Sequence, residues 1–305
     1  MKRYIINILV FFIIIAIVDI GIGYIGDYFQ GHSKGGYSKK INDLLIKDKH
    51  DVLILGSSRA LHHYDTPFLS DTLGIDVYNA GYDGNGIILA DGILRMVLER
   101  YKPRLIVYDV EPAFDIEEYV NDKGNVRYIS HLKPYIKHPC VSALIRDISF
   151  EEWCKAHSGM LRYNTNIISL AKDIFKNSGM DEKGFAPIDG AMTAEPNVSN
   201  IDFKPLKVDD VKLRYLNDLI DICEDNMIPL IMIASPRYGE KKVEPIEMAK
   251  SVCNDRDVPF IDYYSEGTFM HHKEWFKESM HLNRVGAREF SRRLVGDFTQ
   301  NILNN

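Results

Sequence analysis

Apolar and polar positions fall into two regimes along the chain. Residues 4–18 are almost uniformly apolar, Asp19 interrupts them, and 20–25 resume the run, with Lys2 and Arg3 ahead of it. About 20 such residues cross the hydrocarbon core of a bilayer, and basic flanks stay on the cytoplasmic side. The pattern therefore predicts a membrane anchor within residues 1–29, crossing at 4–25, with the chain from about residue 30 onward outside the cytoplasm. The stretch Gly23, Tyr24, Ile25, Gly26, Asp27, Tyr28 offers no small-residue cleavage site, so the anchor is expected to be retained.

Residues 30–40, rich in Gly and Ser, read as a spacer, and a single domain is expected over 41–305. There the apolar runs become short and continuous, at 51–55, 75–79, 105–110, 228–234 and 259–263, separated by stretches of helical period at 61–73, 84–101, 208–226 and 244–254. Strands that are apolar throughout belong in a parallel sheet buried on both faces, so the pattern predicts an α/β domain with five parallel strands. Asn283 is a good cap for a last helix with Phe290, Leu294, Phe298 and Ile302 on its inner face. Residues 113–207 break the rhythm, with helical pieces at 150–157 and 167–177 and a polar loop at 178–206. This insertion is expected to act as a lid or substrate-selecting segment, or else as a flap over the core.

Composition narrows the function classes. A net charge of -6 gives no broad basic surface for a polyanion, so nucleic acid is not an expected partner. Cys140, Cys154, Cys223 and Cys253 form no CxxC pair, which disfavours zinc and dithiol redox chemistry; free buried cysteines are the preferred reading. No metal or cofactor is expected. His62 with His63, and His271 with His272, are adjacent pairs whose side chains diverge by about 100° on a helix, so they read as exposed or capping residues. Arg237 reads as a surface residue near the same sheet edge.

Candidate chemistry lies at two distant points. Leu55, Gly56, Ser57, Ser58, Arg59 and Ala60 stand where the first strand turns into a helix, the place where open α/β sheets bind ligands. There Ser58 could act as a nucleophile, its amide could face negative charge, and Arg59 could contact an anionic substrate, although serine at such a turn commonly only caps the helix. More than 200 residues later, Glu278 and His281 stand three apart just before the last helix. A carboxylate at that spacing can hold the imidazole Nδ1 proton and leave Nε2 for a nucleophile.

Taken in order, these blocks resemble the SGNH, or GDSL-like, hydrolase superfamily, in which a serine follows the first strand and a D-x-x-H element precedes the last helix. The resemblance implies a flavodoxin-like three-layer sandwich and a triad of Ser58, His281 and Glu278, with glutamate standing where the family has aspartate. The second block resembles Asn79, Ala80, Gly81, Tyr82, Asp83 and Gly84, which implies an oxyanion hole from the amides of Ser58 and Gly84, with Gly81 and Asn85 as fallbacks. The third block departs from the family: Asp109, Val110, Glu111 and Pro112 stand where Gly-x-Asn-Asp is usual, so the asparagine donor is missing. The resemblance implies an ester hydrolase or O-acyltransferase acting outside the cytoplasm on an acylated glycan or another ester, beside a membrane-bound O-acyltransferase in some relatives. The alternative is a weak or inactive glycan-binding or scaffold protein.

Overall fold

The five apolar runs become five strands of one parallel sheet. The structure is a computed structural model that describes all residues except 48, 119–123, 165, 176–182, 194–205, 240–243, 266 and 304–305. In chain order the helices and strands are α1 (Lys2–Gly31), α2 (Gly36–Asn42), β1 (Val52–Gly56), α3 (Ser58–His63), α4 (Thr66–Leu73), β2 (Val77–Asn79), α5 (Ile87–Leu98), β3 (Leu105–Asp109) and α6 (Pro112–Asp115). Then follow α7 (Pro139–Ile148), α8 (Phe150–His157), α9 (Gly159–Tyr163), α10 (Ile167–Asp173), α11 (Asp210–Asp225), β4 (Leu230–Ala234), α12 (Glu244–Asp255), β5 (Phe260–Asp262) and α13 (Arg284–Leu303).

The chain divides into two compact units: residues 1–46 with 123–179, and 47–122 with 180–305. The second unit holds the sheet, in the order β2-β1-β3-β4-β5 with every neighbouring pair parallel, and helices cover both sides. This is the flavodoxin-like order. From β1 the chain steps to β2 on one side and then back to β3 on the other, which opens a crevice beyond the carboxyl ends of β1 and β3. All residues of β1 to β4 are buried, as their continuous apolar sequence requires, and burial of each large aliphatic side chain stabilises the fold by about 1.5–3 kcal/mol. Phe290, Leu294 and Phe298 of α13 are fully buried against the sheet, while the side chain of Ile302 lies outside the described residues.

The helix expected over 61–73 is two helices. Asp65 caps α4 by accepting the Phe68 N–H at 3.1 Å, and Pro67 sits in the first turn where it lacks no partner, so the chain breaks between His63 and Thr66. The capping expected of Asn283 is present, its Oδ1 accepting the N–H groups of Val285 and Gly286.

The first unit consists of α1, α2 and α7 to α10. α1 is 30 residues long, about 45 Å by helical rise, and is the one described helix long and apolar enough to cross a membrane. Helix α2 begins inside the stretch read as a spacer. The interrupting segment therefore contributes to both units: 123–179 lies in the first, while residues 183–193 belong to the second, where Ala186 N–H donates to Leu61 O and Met192 N–H to Phe276 O. Most of the polar loop at 178–206 lies outside the described residues. The four cysteines are unpaired, and the expectation of burial holds for Cys223 and Cys253 only, since Cys154 is exposed and Cys140 half-buried.

Candidate active site

Two neighbouring serines take different tasks at the end of β1. Ser57 is fully buried and caps α3, its side chain accepting the Arg59 N–H at 3.3 Å. Ser58 is the first residue of that helix, and its Oγ lies 2.8 Å from His281 Nε2. The turn before α13 supplies the histidine. Glu278 Oε2 accepts the Met280 N–H at 2.8 Å, Glu278 O accepts the His281 N–H, and Tyr238 N–H donates to Ser279 O, so the turn is closed from within and fixed from β4's following loop. His281 Nδ1 then donates to Glu278 Oε1.

This pairing sets the tautomer. With its proton on Nδ1, His281 presents a lone pair on Nε2 to the Ser58 hydroxyl, which is the arrangement a general base needs. Partial burial pushes the Glu278 carboxyl upward, but the hydrogen bonds from His281 and the Met280 amide outweigh it and hold the group below its ordinary value. Glutamate's extra methylene is thus accommodated by the local turn.

Behind the half-buried His281 and the exposed Glu278 stands a buried network. Arg59 does not make the expected substrate contact: its side chain is fully buried, because α3 turns it inward toward the carboxyl ends of β3 and β4. Its Nε donates to Ser235 Oγ at 3.1 Å and its Nη2 to Ser235 O at 2.6 Å, its Nη1 lies 3.0 Å from Glu111 Oε2, and its plane sits over the Tyr264 ring. Ser235 Oγ donates to Asp109 Oδ2 at 2.7 Å and accepts from His63 Nδ1 at 2.9 Å. His63 Nε2 accepts the Leu282 N–H at 3.0 Å, so its proton must be on Nδ1. Burial, followed by the Arg59 charge, holds His63 well below its ordinary value and keeps it neutral. Burial pushes Asp109 up to about 6 against the pull of Arg59 and Ser235.

His63 is therefore buried rather than exposed, and His62 is half-buried with both nitrogens engaged. His62 Nδ1 meets Ala186 O at 2.5 Å and its Nε2 meets Asp83 Oδ1 at 3.0 Å, with its ring 5.4 Å from that of His281. The sequence carried a signal for this division, since His62 is four residues after Ser58 and His63 four after Arg59. On a helix those spacings give one face to the site and the other to the interior.

The loop after β2 packs against the serine turn. Tyr82 N–H donates to Gly56 O, and a Cβ on Gly81 would lie 2.5 Å from Leu61 N and 2.7 Å from Ala60 Cβ, so only glycine allows this approach. The Gly81 N–H donates to Asn79 Oδ1 at 2.9 Å and is committed to the loop itself, which removes it as an oxyanion donor. Gly84 occupies the same loop at φ +62° and is half-buried. Asn85 spends one side-chain N–H on Asp83 O. Glu111, where the resemblance leads one to expect an asparagine, is buried against Arg59 and offers no donor. Among the described residues no group of three or more His, Cys, Asp or Glu is placed to hold a metal ion.

No family profile and no curated protein matches the sequence. Among solved structures, the chain is similar to a Bacteroides fragilis protein provisionally named an acylhydrolase, at 14% identity and a TM-score of 0.42 over 87% of this chain and 95% of the other. It is also similar to a Streptococcus pneumonia protein provisionally named as a platelet activating factor, at 10% identity and a TM-score of 0.40 over 92% and 96%.

Proposed function

We propose that the protein is a serine-dependent ester hydrolase or O-acyltransferase, held at a membrane by α1 with its catalytic domain outside the cytoplasm. One observation carries the reading: a continuous relay from Ser58 Oγ through His281 to Glu278, set at the crevice beyond β1 and β3. His281 takes the Ser58 proton as Oγ attacks the acyl carbonyl carbon. The oxyanion is held by the N–H groups of Ser58, at the start of α3, and of Gly84. The leaving alkoxide takes the proton back from His281, which leaves an acyl ester on Ser58. His281 then deprotonates the acceptor; water completes hydrolysis, and a sugar hydroxyl completes transfer. In this reading the segment 184–192, which meets His62 through Ala186 O, selects the substrate.

Glu111 in place of an asparagine donor favours a second reading, a slow or inactive glycan-binding scaffold, since loss of one oxyanion donor costs about 10²- to 10³-fold in rate. Hydrolysis of p-nitrophenyl acetate by the detergent-solubilised full chain separates the two. The catalytic reading expects turnover that disappears in Ser58→Ala; turnover equal in both proteins contradicts it.

A further inference from the structure

Asp19 lies within the apolar run of α1, at a depth where a carboxylate is costly. Counted from Tyr4, about 20 residues and 30 Å of helix end near residue 24, which places Asp19 about 7 Å inside the hydrocarbon boundary. Tyr24 and Tyr28, 72% and 57% exposed, mark that boundary as aromatic side chains do at membrane interfaces. Asp19 is satisfied from one source: it accepts the Ser158 hydroxyl at 2.6 Å, the Gly159 N–H at 3.1 Å and the Met160 N–H at 2.9 Å, all at the start of α9.

Helix α9 is thereby brought to the same depth as Asp19. Backbone contact enforces this, because a Cβ on Gly159 would stand 2.2 Å from Asp19 O and 2.5 Å from Gly23 N. Such close approach through small residues is how helices pack within membranes. One turn further out, Tyr163 lies on Gly26 and donates its hydroxyl to Asp27 at 2.7 Å. Gly159 and Tyr163 face α1; Met160 and Leu161 face away, 42% and 53% exposed.

Non-spanning backbone enters hydrocarbon only if its polar groups are paired. Helix α9 meets that condition at all four of its leading amides: Gly159 and Met160 N–H donate to Asp19, Leu161 N–H to Ser158 Oγ, and Arg162 N–H to Ser158 O.

We infer that α9 is a membrane-seated wedge, in which Met160 and Leu161 enter the lipid leaflet beside the anchor while Asp19 caps the helix they belong to. The partner is the lipid bilayer, continuous with the lipid around α1. The inference rests on reading α1 as a membrane anchor, and its test keeps the two apart.

Full-length protein, with Cys140 and Cys154 replaced by serine, is reconstituted in vesicles of phosphatidylcholine and phosphatidylglycerol. A nitroxide is placed in turn at Met160→Cys, Leu161→Cys, Ile17→Cys in the span, and Met227→Cys, which is 86% exposed in the other unit. Collision with oxygen severalfold above that with a water-soluble nickel complex is expected at 17, 160 and 161, and the reverse at 227. Lipid contact at 17 with water contact at 160 and 161 overturns the wedge and leaves the anchor standing. Water contact at 17 overturns the anchor and the wedge with it. Shielding of 160 and 161 from both reagents means that another copy of the chain covers them, and overturns lipid as the occupant.

Discussion

His63 Nε2 accepts the backbone N–H of Leu282 at 3.0 Å, so the helix that begins with Ser58 also grips the residue after His281. Ser58 and His281 are thus registered by a neutral imidazole that hydrogen-bonds to neither side chain and meets the His281 ring edge-on at 6.2 Å. Its other nitrogen donates to Ser235, which is held in turn by Asp109 and Arg59, so the ends of β3 and β4 share the load.

The protonation of His63 makes this registration sensitive to pH. Its folded value is held below 6.5, so in acid the unfolded chain takes up a proton that the folded protein refuses. Its stabilising contribution is complete above 6.5 and is lost as pH falls toward the folded value. Urea midpoints measured from pH 8 to pH 5 should fall less steeply in His63→Gln, which keeps an acceptor for Leu282 but does not titrate. His63→Ala leaves Leu282 N–H and Ser235 Oγ short of a partner and should lower stability by about 1–3 kcal/mol.

Glu278 is expected to act by orientation and charge. Glu278→Gln should reduce kcat about 10³- to 10⁴-fold, because the amide no longer fixes the Nδ1 proton or stabilises the imidazolium. Glu278→Asp, with a shorter arm, should lose less; equal losses would separate Glu278 from the relay.

Arg59 is buried between Glu111 and Asp109 rather than aimed at substrate. Arg59→Met should destabilise the fold by about 3–5 kcal/mol by stranding those carboxylates, and Glu111→Gln in the same chain should restore part of it. Thermal melts of the single and double variants measure the rescue.

Gly81 lets the loop after β2 press on α3. Gly81→Ala places a methyl group where 2.5 Å separates it from Leu61 N, so α3 or the loop must move, at a cost of about 1–3 kcal/mol. Reaction at Ser58 should slow with the loss of stability, since α3 carries that serine.

The sheet was legible because β1 to β4 are buried on both faces and so had to be written as continuous apolar runs. The break between α3 and α4 was not: the apolar pattern runs on through Leu61 and Leu69, and Asp65 with Pro67 overrides it locally. At the site, the meeting of Ser58, His281 and Glu278 is expected from the order of their blocks and the spacing of the last two, and the structure brings the three side chains together. The Arg59–Ser235–His63 network could not be read, because Ser235 lies more than 170 residues from both partners, and the spacing that sets His63 apart from His62 gives it no partner. Asp19 reads in the sequence as a mere interruption of the apolar run, because the donors it accepts from, Ser158 to Met160, lie some 140 residues away.

The relay itself is tested by covalent labelling. Full-length protein treated with a fluorophosphonate should gain one adduct, mapped by peptide mass spectrometry to Ser58, with labelling lost in Ser58→Ala and sharply slowed in His281→Ala. A chain that stays unlabelled while folded, or that labels equally in the presence and absence of His281, would contradict a serine activated by that histidine.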